Sequence, residues 1–328
     1  MRKPRISVVM PIYNVEDFIA QAVQSVLDQS FKDFELICVD DGGQDASMNI
    51  VRSFADPRIR IVTQTNRGLA GARNTGIAHA RGEYIALLDS DDLWHQDKLL
   101  LHYVHLNANP DIGVSYAGSR LIDRDGAVFK AAMKPKLGRV TARDILCRNP
   151  VGNGSAAVMR RSAVDLAARG HPQEPRRLCW FDEEFRQSED IELWVRLAVK
   201  HGVTFAGIDG LLTDYRIIPG ALSANVVKQY LSWTKMLRKL RSYDPQFVEQ
   251  HGETARAYQL RYLARRSLQL GNFELAHDFL KQALGRSSRI LIEEPRRTIV
   301  TACAIGIGRM LGRERFTALM RPYLRAAV

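Results

Sequence analysis

Glycine-rich phosphate loops are missing from this chain. No G-x-G-x-x-G follows the first apolar run, where the turn reads "PIYN", and Gly-Lys-Ser/Thr occurs nowhere. These absences remove the dinucleotide fingerprint and the Walker loop, and with them a nicotinamide enzyme and ATP hydrolysis. Cysteine is scarce: Cys38, Cys147, Cys179 and Cys303 lie far apart with no C-x-x-C pair, which excludes a zinc ribbon and a disulfide framework and fits a reducing cytoplasm. The eight histidines contain no H-x-x-x-H metal spacing. Long hydrophobic runs are missing too. "TIVTACAIGIG" at 298–308 falls short of the roughly 20 residues a membrane-spanning helix needs. The basic start "MRKPRISVVMPIYN" loses its apolar run at Pro11 and has no small-residue cleavage site, so it reads as a first strand and not a signal peptide.

What the chain does have is enough apolar residue, 46% of 328, for a sizeable core. It also has a lopsided charge. Residues 226–328 hold 19 Lys and Arg against 8 Asp and Glu, while residues 1–225 hold 28 against 28, so the whole net charge of +11 sits in the last third. Two modules with different partners are expected, 1–225 and 226–328, the second facing something anionic.

The first hundred residues alternate between strand and helix patterns. "RISVVMPIY", "FELICVD", "IRIVTQ" and "EYIALLD" read as buried strands. Between them, "NVEDFIAQAVQSVLDQS", with Asn14 as its expected N-cap, "ASMNIVRSFA" and "GLAGARNTGIAHA" read as helices. This rhythm predicts an α/β fold with a mostly parallel sheet flanked by helices. Ligands of such sheets bind beyond the carboxyl ends of the strands. Residues 11–14, 40–43 and 89–92 then share one rim.

That rim carries too much negative charge to be left alone. "LLDSDD" ends a buried strand on Asp89, Asp91 and Asp92. Ionised carboxylates about 4 Å apart repel by a few kcal/mol even at an effective dielectric of about 20, so clustered aspartates need solvation or a cation. An EF-hand is excluded, because Trp94 stands where its loop glycine belongs and Leu100 where its bidentate glutamate belongs. A hard divalent ion, Mg2+ or Mn2+, held by one or two carboxylates and completed by phosphate oxygens and water, suits a nucleoside diphosphate.

Four motifs in order, "VVMPIYN" at 8–14, "VDDGGQD" at 39–45, "NRGLAGARNTGIAHARGEYIALLDSDD" at 66–92 and "SEDIELWVRLA" at 188–198, resemble those of the family 2 glycosyltransferases of GT-A fold. The likeness runs from Ile6 to about Ser223. It implies that Pro11 and Tyr13 hold the base of a nucleotide sugar, that Asp40 or Asp41 hydrogen-bonds it, and that Arg73 lies near the nucleotide. It makes Asp89 and Asp91 the D-x-D pair, touching ribose and metal, with Asp92 sharing the metal shell. Asp190 becomes the catalytic base of an inverting transfer. A helix N-terminus at Asp190 favours its ionised form and lowers its basicity, whereas Glu189 pushes the other way. Two departures stand out: Gly43 replaces the family's serine after "DDG", and the tail "DYRIIPGALS" keeps Tyr215 and Arg216 but has Ile218 in place of histidine. Arg216 remains a candidate diphosphate contact. Acceptor loops are expected within 130–187, which include "GNGS" at 152–155 and "HPQEPRR" at 171–177. Trp180 and Trp194 are expected to pack.

Beyond Ser223 the pattern turns helical. "ARAYQLRYLARRSLQLGNFELAHDFLKQALGRS" reads as two amphipathic helices meeting at Gly271-Asn272, one hairpin of tetratricopeptide type. No nucleic-acid module is present, so an anionic membrane surface is the preferred partner of the basic region. The resulting expectation is a cytoplasmic enzyme, peripheral on the inner face of the cell membrane. It would move sugar from a nucleoside diphosphate sugar, UDP-linked by preference, to a glycan or lipid-linked acceptor in bacterial polysaccharide assembly. The alternative from another class is a non-catalytic sugar-nucleotide or polysaccharide-binding scaffold.

Overall fold

The computed structural model describes residues 3–218 and 225–324. Ser223 and the 225/226 boundary expected from charge adjoin or fall within residues outside that description. The chain divides into two compact units, one of residues 1–142 and 150–218, the other of residues 143–149 and 219–328. The short segment Arg143–Asn149, expected with the front module, thus belongs to the helical one.

The first unit is built on a ten-stranded sheet. Its parallel part is β1 (Ile6–Ile12), β2 (Phe34–Asp40), β3 (Ile59–Thr63) and β4 (Tyr84–Leu87), ordered β3-β2-β1-β4. Every residue of β1, β2 and β4 is buried, which is why they read as continuous apolar runs and not as alternating ones. The helices α1 (Ile19–Leu27), α2 (Ser47–Ser53) and α3 (Gly68–His79) connect them. A two-residue strand, β5 (Leu93–Trp94), and α4 (Lys98–Ala108) follow β4. The sheet continues through the long β6 (Ile112–Ile122), with β7 (Val128–Met133), β8 (Gly138–Val140) and β9 (Ala157–Arg160). β9 is inserted antiparallel between β4 and β6, and β12 (Thr204–Arg216) runs parallel to β6. Short elements α6 (Arg161–Asp165), β10 (Arg169–Gly170) and β11 (Leu178–Cys179) lead to α7 (Glu189–Val195). Trp180 and Trp194 are packed inside, at 2% and 0% exposed.

Chain direction in the sheet reverses its lateral growth between β1 and β4: β1 leads to β2 on one side and, after β3, the chain returns to β4 on the other. Such a switch point opens a crevice at the carboxyl ends of the strands. Residues 11–14, 40–43 and 89–92 lie at the carboxyl ends of β1, β2 and β4.

The expected N-cap of α1 is a correction. Phe18 occupies the cap position, and Asn14, at φ 50, instead accepts the Gln44 N–H on Oδ1 at 2.8 Å. A tertiary contact to the loop after β2 has won over local capping, and Phe18 reaches α1 through a turn in which its N–H bonds Val15 O at 2.9 Å.

The second unit is helical: α5 (Ala142–Arg148), whose residues from 143 onward lie in it, α8 (Val226–Tyr243), α9 (Pro245–Gln269), α10 (Phe273–Arg286), α11 (Arg289–Glu293) and α12 (Pro295–Leu324). The hairpin is found where it was expected. Gly271 adopts φ 75 between α9 and α10, and Asn272 caps α10 by accepting the Leu275 N–H at 3.1 Å. No helix among the described residues is long and apolar enough to cross a membrane.

Candidate active site

The site lies wholly in the first unit. Its centre is the guanidinium of Arg73, which α3 carries beneath the crevice at 1% exposure. Nη2 donates to Asp89 Oδ1 and Nη1 to Glu189 Oε1, both at 2.6 Å. One buried cation thereby ties the D-x-D loop after β4 to the Glu189-Asp190 pair at the start of α7, residues a hundred positions apart. Arg73 was expected near the nucleotide; it sits under that surface, with its charge committed to the two carboxylates.

Asp190 is partly exposed, and its Oδ1 accepts the Ile191 N–H at 2.7 Å. Burial and the neighbouring Glu189 push its carboxyl from the ordinary 3.8 up to about 7, against the opposing pull of Arg73. The helix-terminus effect, worth ~0.3–1 kcal/mol, amounts to less than one pH unit, so the environment outweighs it. The residue before the pair, Ser188, is held at φ 58, a left-handed conformation uncommon outside glycine, and fixes how α7 enters the site.

Asp91, partly exposed, is pushed up to about 6 by burial and by the charge of Asp89. Arg73 bonds Asp89 and not Asp91, and the nearby charge of Arg216 opposes the rise at Asp91 without cancelling it. No group of three or more His, Cys, Asp or Glu among the described residues is arranged to hold a metal. A pair of carboxylates completed by diphosphate oxygens and water is nevertheless a sufficient donor set for Mg2+ or Mn2+.

Asp92 plays a different part in the geometry. At 1% exposed, it accepts the Ser155 hydroxyl on Oδ2 at 2.6 Å and the Arg216 backbone N–H on Oδ1 at 2.9 Å. Burial pushes its carboxyl up. The fully buried Lys98, itself pushed down to about 7 by burial, lies close enough to feel its charge. Arg216, also buried, donates from Nε to Asp91 O, from Nη1 to Asp123 O and Arg124 O, and from Nη2 to Gln21 Oε1. Its guanidinium therefore braces the D-x-D loop from behind.

The base end of the crevice separates the two aspartates left open by sequence. Asp41 is consumed by the loop before α3: Oδ1 accepts Gln64 Nε2 and the Arg67 N–H, and Oδ2 accepts the Gly68 N–H. Among the described residues Asp40 accepts only the Gly42 N–H, on Oδ1 at 3.1 Å, and so keeps acceptor capacity. Pro11 is buried inside β1, and Tyr13 beyond its end is 51% exposed, a free aromatic face at the rim.

Sequence reasoning missed Gly154 and Ser155. "GNGS" was placed among acceptor loops, but the structure sets it against the D-x-D loop. Ser155 Oγ accepts the Asp89 N–H at 3.0 Å while donating to Asp92, and any Cβ at 154 would collide with Arg73 Nη2. Two glycines flanking an asparagine and ending in serine were the visible signal. Ser155→Ala is expected to orphan both buried partners at a cost of about 1–3 kcal/mol, lowering the melting temperature by several degrees. Calorimetry that finds no shift would contradict this role.

A GT-A fold whose strand ends gather paired aspartates, tied through Arg73 to a second acidic pair, is the arrangement of a sugar-transferring enzyme. Comparisons with known proteins agree. The description "Glycosyl transferase family 2" matches residues 7–166. A Bacillus subtilis glycosyltransferase assigned to teichuronic acid biosynthesis, TuaG, is 34% identical over 227 residues, covering 68% of this chain and 83% of its own. The Escherichia coli UDP-Glc:alpha-D-GlcNAc-diphosphoundecaprenol beta-1,3-glucosyltransferase WfgD is 28% identical over 225 residues, covering 68% and 81%. Among solved structures, the mannosyltransferase PcManGT from Pyrobaculum calidifontis, in complex with GDP-Man and Mn2+, superposes with a TM-score of 0.60 at 19% identity, over 98% of this chain and 83% of that one. Staphylococcus aureus TarS 1-349 with UDP-GlcNAc gives 0.55 at 16%, over 85% and 90%. The chain belongs to glycosyl transferase family 2.

Proposed function

We propose that this enzyme transfers a sugar, with inversion, from a uridine diphosphate sugar to a lipid-linked or glycan acceptor of a bacterial surface polysaccharide. The observation that carries the reading is the Arg73 bridge, which gathers Asp89 and the Glu189-Asp190 pair about one crevice. Tyr13 and Asp40 would hold the base, the first by stacking and the second by accepting its N–H. Asp89 and Asp91 would hold a divalent cation, which when bound offsets negative charge on the leaving diphosphate. Asp190, raised towards neutrality, would take the proton of the acceptor hydroxyl as the new glycosidic bond forms on the opposite face of the anomeric carbon. A single base with no second nucleophile gives inversion. The names of TuaG and WfgD support a cell-envelope acceptor, and the latter a lipid-linked one. The basic helical unit would then keep the enzyme at the inner face of the membrane.

The base must be ionised, so kcat/KM is expected to fall as pH drops through about 7, the value to which Asp190 is raised, and to level off above it. A profile flat from pH 5 to 8 would contradict this assignment. Manganese with uridine diphosphate is expected to raise the melting temperature of the wild type, and Asp91→Asn to abolish most of that gain. An equal gain in the variant would remove Asp91 from the metal set. Screening uridine, guanosine and thymidine diphosphate sugars in the same assay tests the choice of base.

A further inference from the structure

The last long helix wears its apolar side outward. In α12 the residues turned into the second unit are Thr298, Thr301, Ile305 and Gly308, at spacings of three and four. The opposite face presents Ile299, Val300, Cys303, Ile307 and Met310, all exposed, with Val300 at 60% and Met310 at 86%. A helix packed on its own unit and facing water carries the reverse pattern. Ile292, at the end of α11, is 78% exposed as well. The stripe from Ile299 to Leu311 is about 18 Å long at 1.5 Å per residue, and Gly312, at φ 73, ends it by breaking the helix.

Charge brackets the stripe. Arg296 and Arg297 precede it, Arg313 and Arg315 follow Gly312, and Glu314 is the only acid between residues 295 and 315. Within the same unit Arg297 repels Arg148, Arg261 and Arg265, each of which burial and this crowding push down. The nearby carboxylates are already paired: Glu293 with Arg143, Glu274 with Arg309, and Glu294 shared among Arg148, Arg261 and Arg297. Positive charge beside the stripe therefore exceeds what the unit neutralises.

We propose that the outward face of α12 is the surface by which this enzyme docks on an anionic bilayer. Ile299, Val300, Ile307 and Met310 enter among the acyl chains, and the bracketing arginines meet lipid phosphates, the arrangement of an interfacial helix. A second copy is a poorer occupant, because a twofold contact through this stripe sets arginine against arginine. The inference rests on the membrane-side reading above and names the surface responsible.

Cys303 lies on the stripe and is exposed, whereas Cys38, Cys147 and Cys179 are buried, so an environment-sensitive fluorophore can be placed there on the full chain. With phosphatidylglycerol vesicles at low salt, its emission is expected to shift to the blue and to be quenched by lipids spin-labelled in the acyl region. Phosphatidylcholine vesicles should give neither effect. In sedimentation with the unlabelled chain, Val300→Glu combined with Ile307→Glu and Met310→Glu is expected to cut vesicle binding about tenfold or more, and added salt to weaken the wild type. The triple variant should hydrolyse donor in solution as the wild type does, and Asp190→Asn should bind vesicles as the wild type does. Failure of the wild type to bind vesicles, with its turnover intact, would thus overturn the docking surface alone. No recovery on phosphatidylglycerol vesicles, equal recovery on phosphatidylcholine, or an unchanged triple variant would each overturn it. Self-association lost in the triple variant without vesicle binding would assign the stripe to a second copy and overturn it too.

Discussion

Asp190→Asn is expected to lower turnover about 10²–10⁴-fold, the usual contribution of a positioned general base, and at the same time to make the protein more stable. The second effect follows from the same environment as the first. Asp190 is raised from 3.8 to about 7 in the folded chain, so between those two values the folded state holds a proton that the unfolded state has released. Stability then falls as pH rises through that window, and at pH 7 and above the ionised carboxylate costs the fold free energy. Asparagine keeps an acceptor for the Ile191 N–H and removes the charge. A gain of about 1–3 kcal/mol, a few degrees in melting temperature, is expected near pH 7.5 and should vanish near pH 4. A variant that loses activity through misfolding would melt lower, so the two readouts together separate a missing base from a damaged fold. Unchanged turnover would refute the assignment of the base.

Arg73→Met is expected to be the most damaging single change to stability. It leaves Asp89 and Glu189 without their shared cation in a site where neither can move freely to water, and removing one partner of a buried pair costs about 3–5 kcal/mol. Donor turnover should fall with it, since the D-x-D loop and the Glu189-Asp190 pair would no longer be held together. Glu189→Gln added to Arg73→Met should restore part of the melting temperature, because one of the orphaned charges is gone. A single variant that melts within a degree of wild type would show that the bridge does not hold the site.

Much of this arrangement could be read from the amino acids because it is carried by strands buried on both faces. "SVVMPI", "ELICV" and "YIALL" leave no alternative to interior strands, and their polar exits then mark the rim. The legible part stops where a residue's duty is set by chain far away. Asp41 and Arg216 look like ligands in isolation, yet the first spends its oxygens on the loop before α3 and the second spends its donors on backbone carbonyls and the Gln21 side chain. Gly154 and Ser155 look like an ordinary turn, and only the fold brings them against Arg73 and Asp92. Asn14 shows the same limit at smaller scale, its cap abandoned for the loop after β2. Local patterns predict local structure, and these four cases were decided by contacts between 23 and 125 positions apart.

Asp89 and Asp91 are proposed to hold a cation against a diphosphate while Asp190 faces it. Crystals grown with manganese and uridine diphosphate, measured at the manganese absorption edge, test it most directly. One anomalous peak is expected between those two carboxylates and the diphosphate, with the Asp190 carboxylate turned towards the same nucleotide. A peak elsewhere, or Asp190 directed away from the nucleotide, would contradict it.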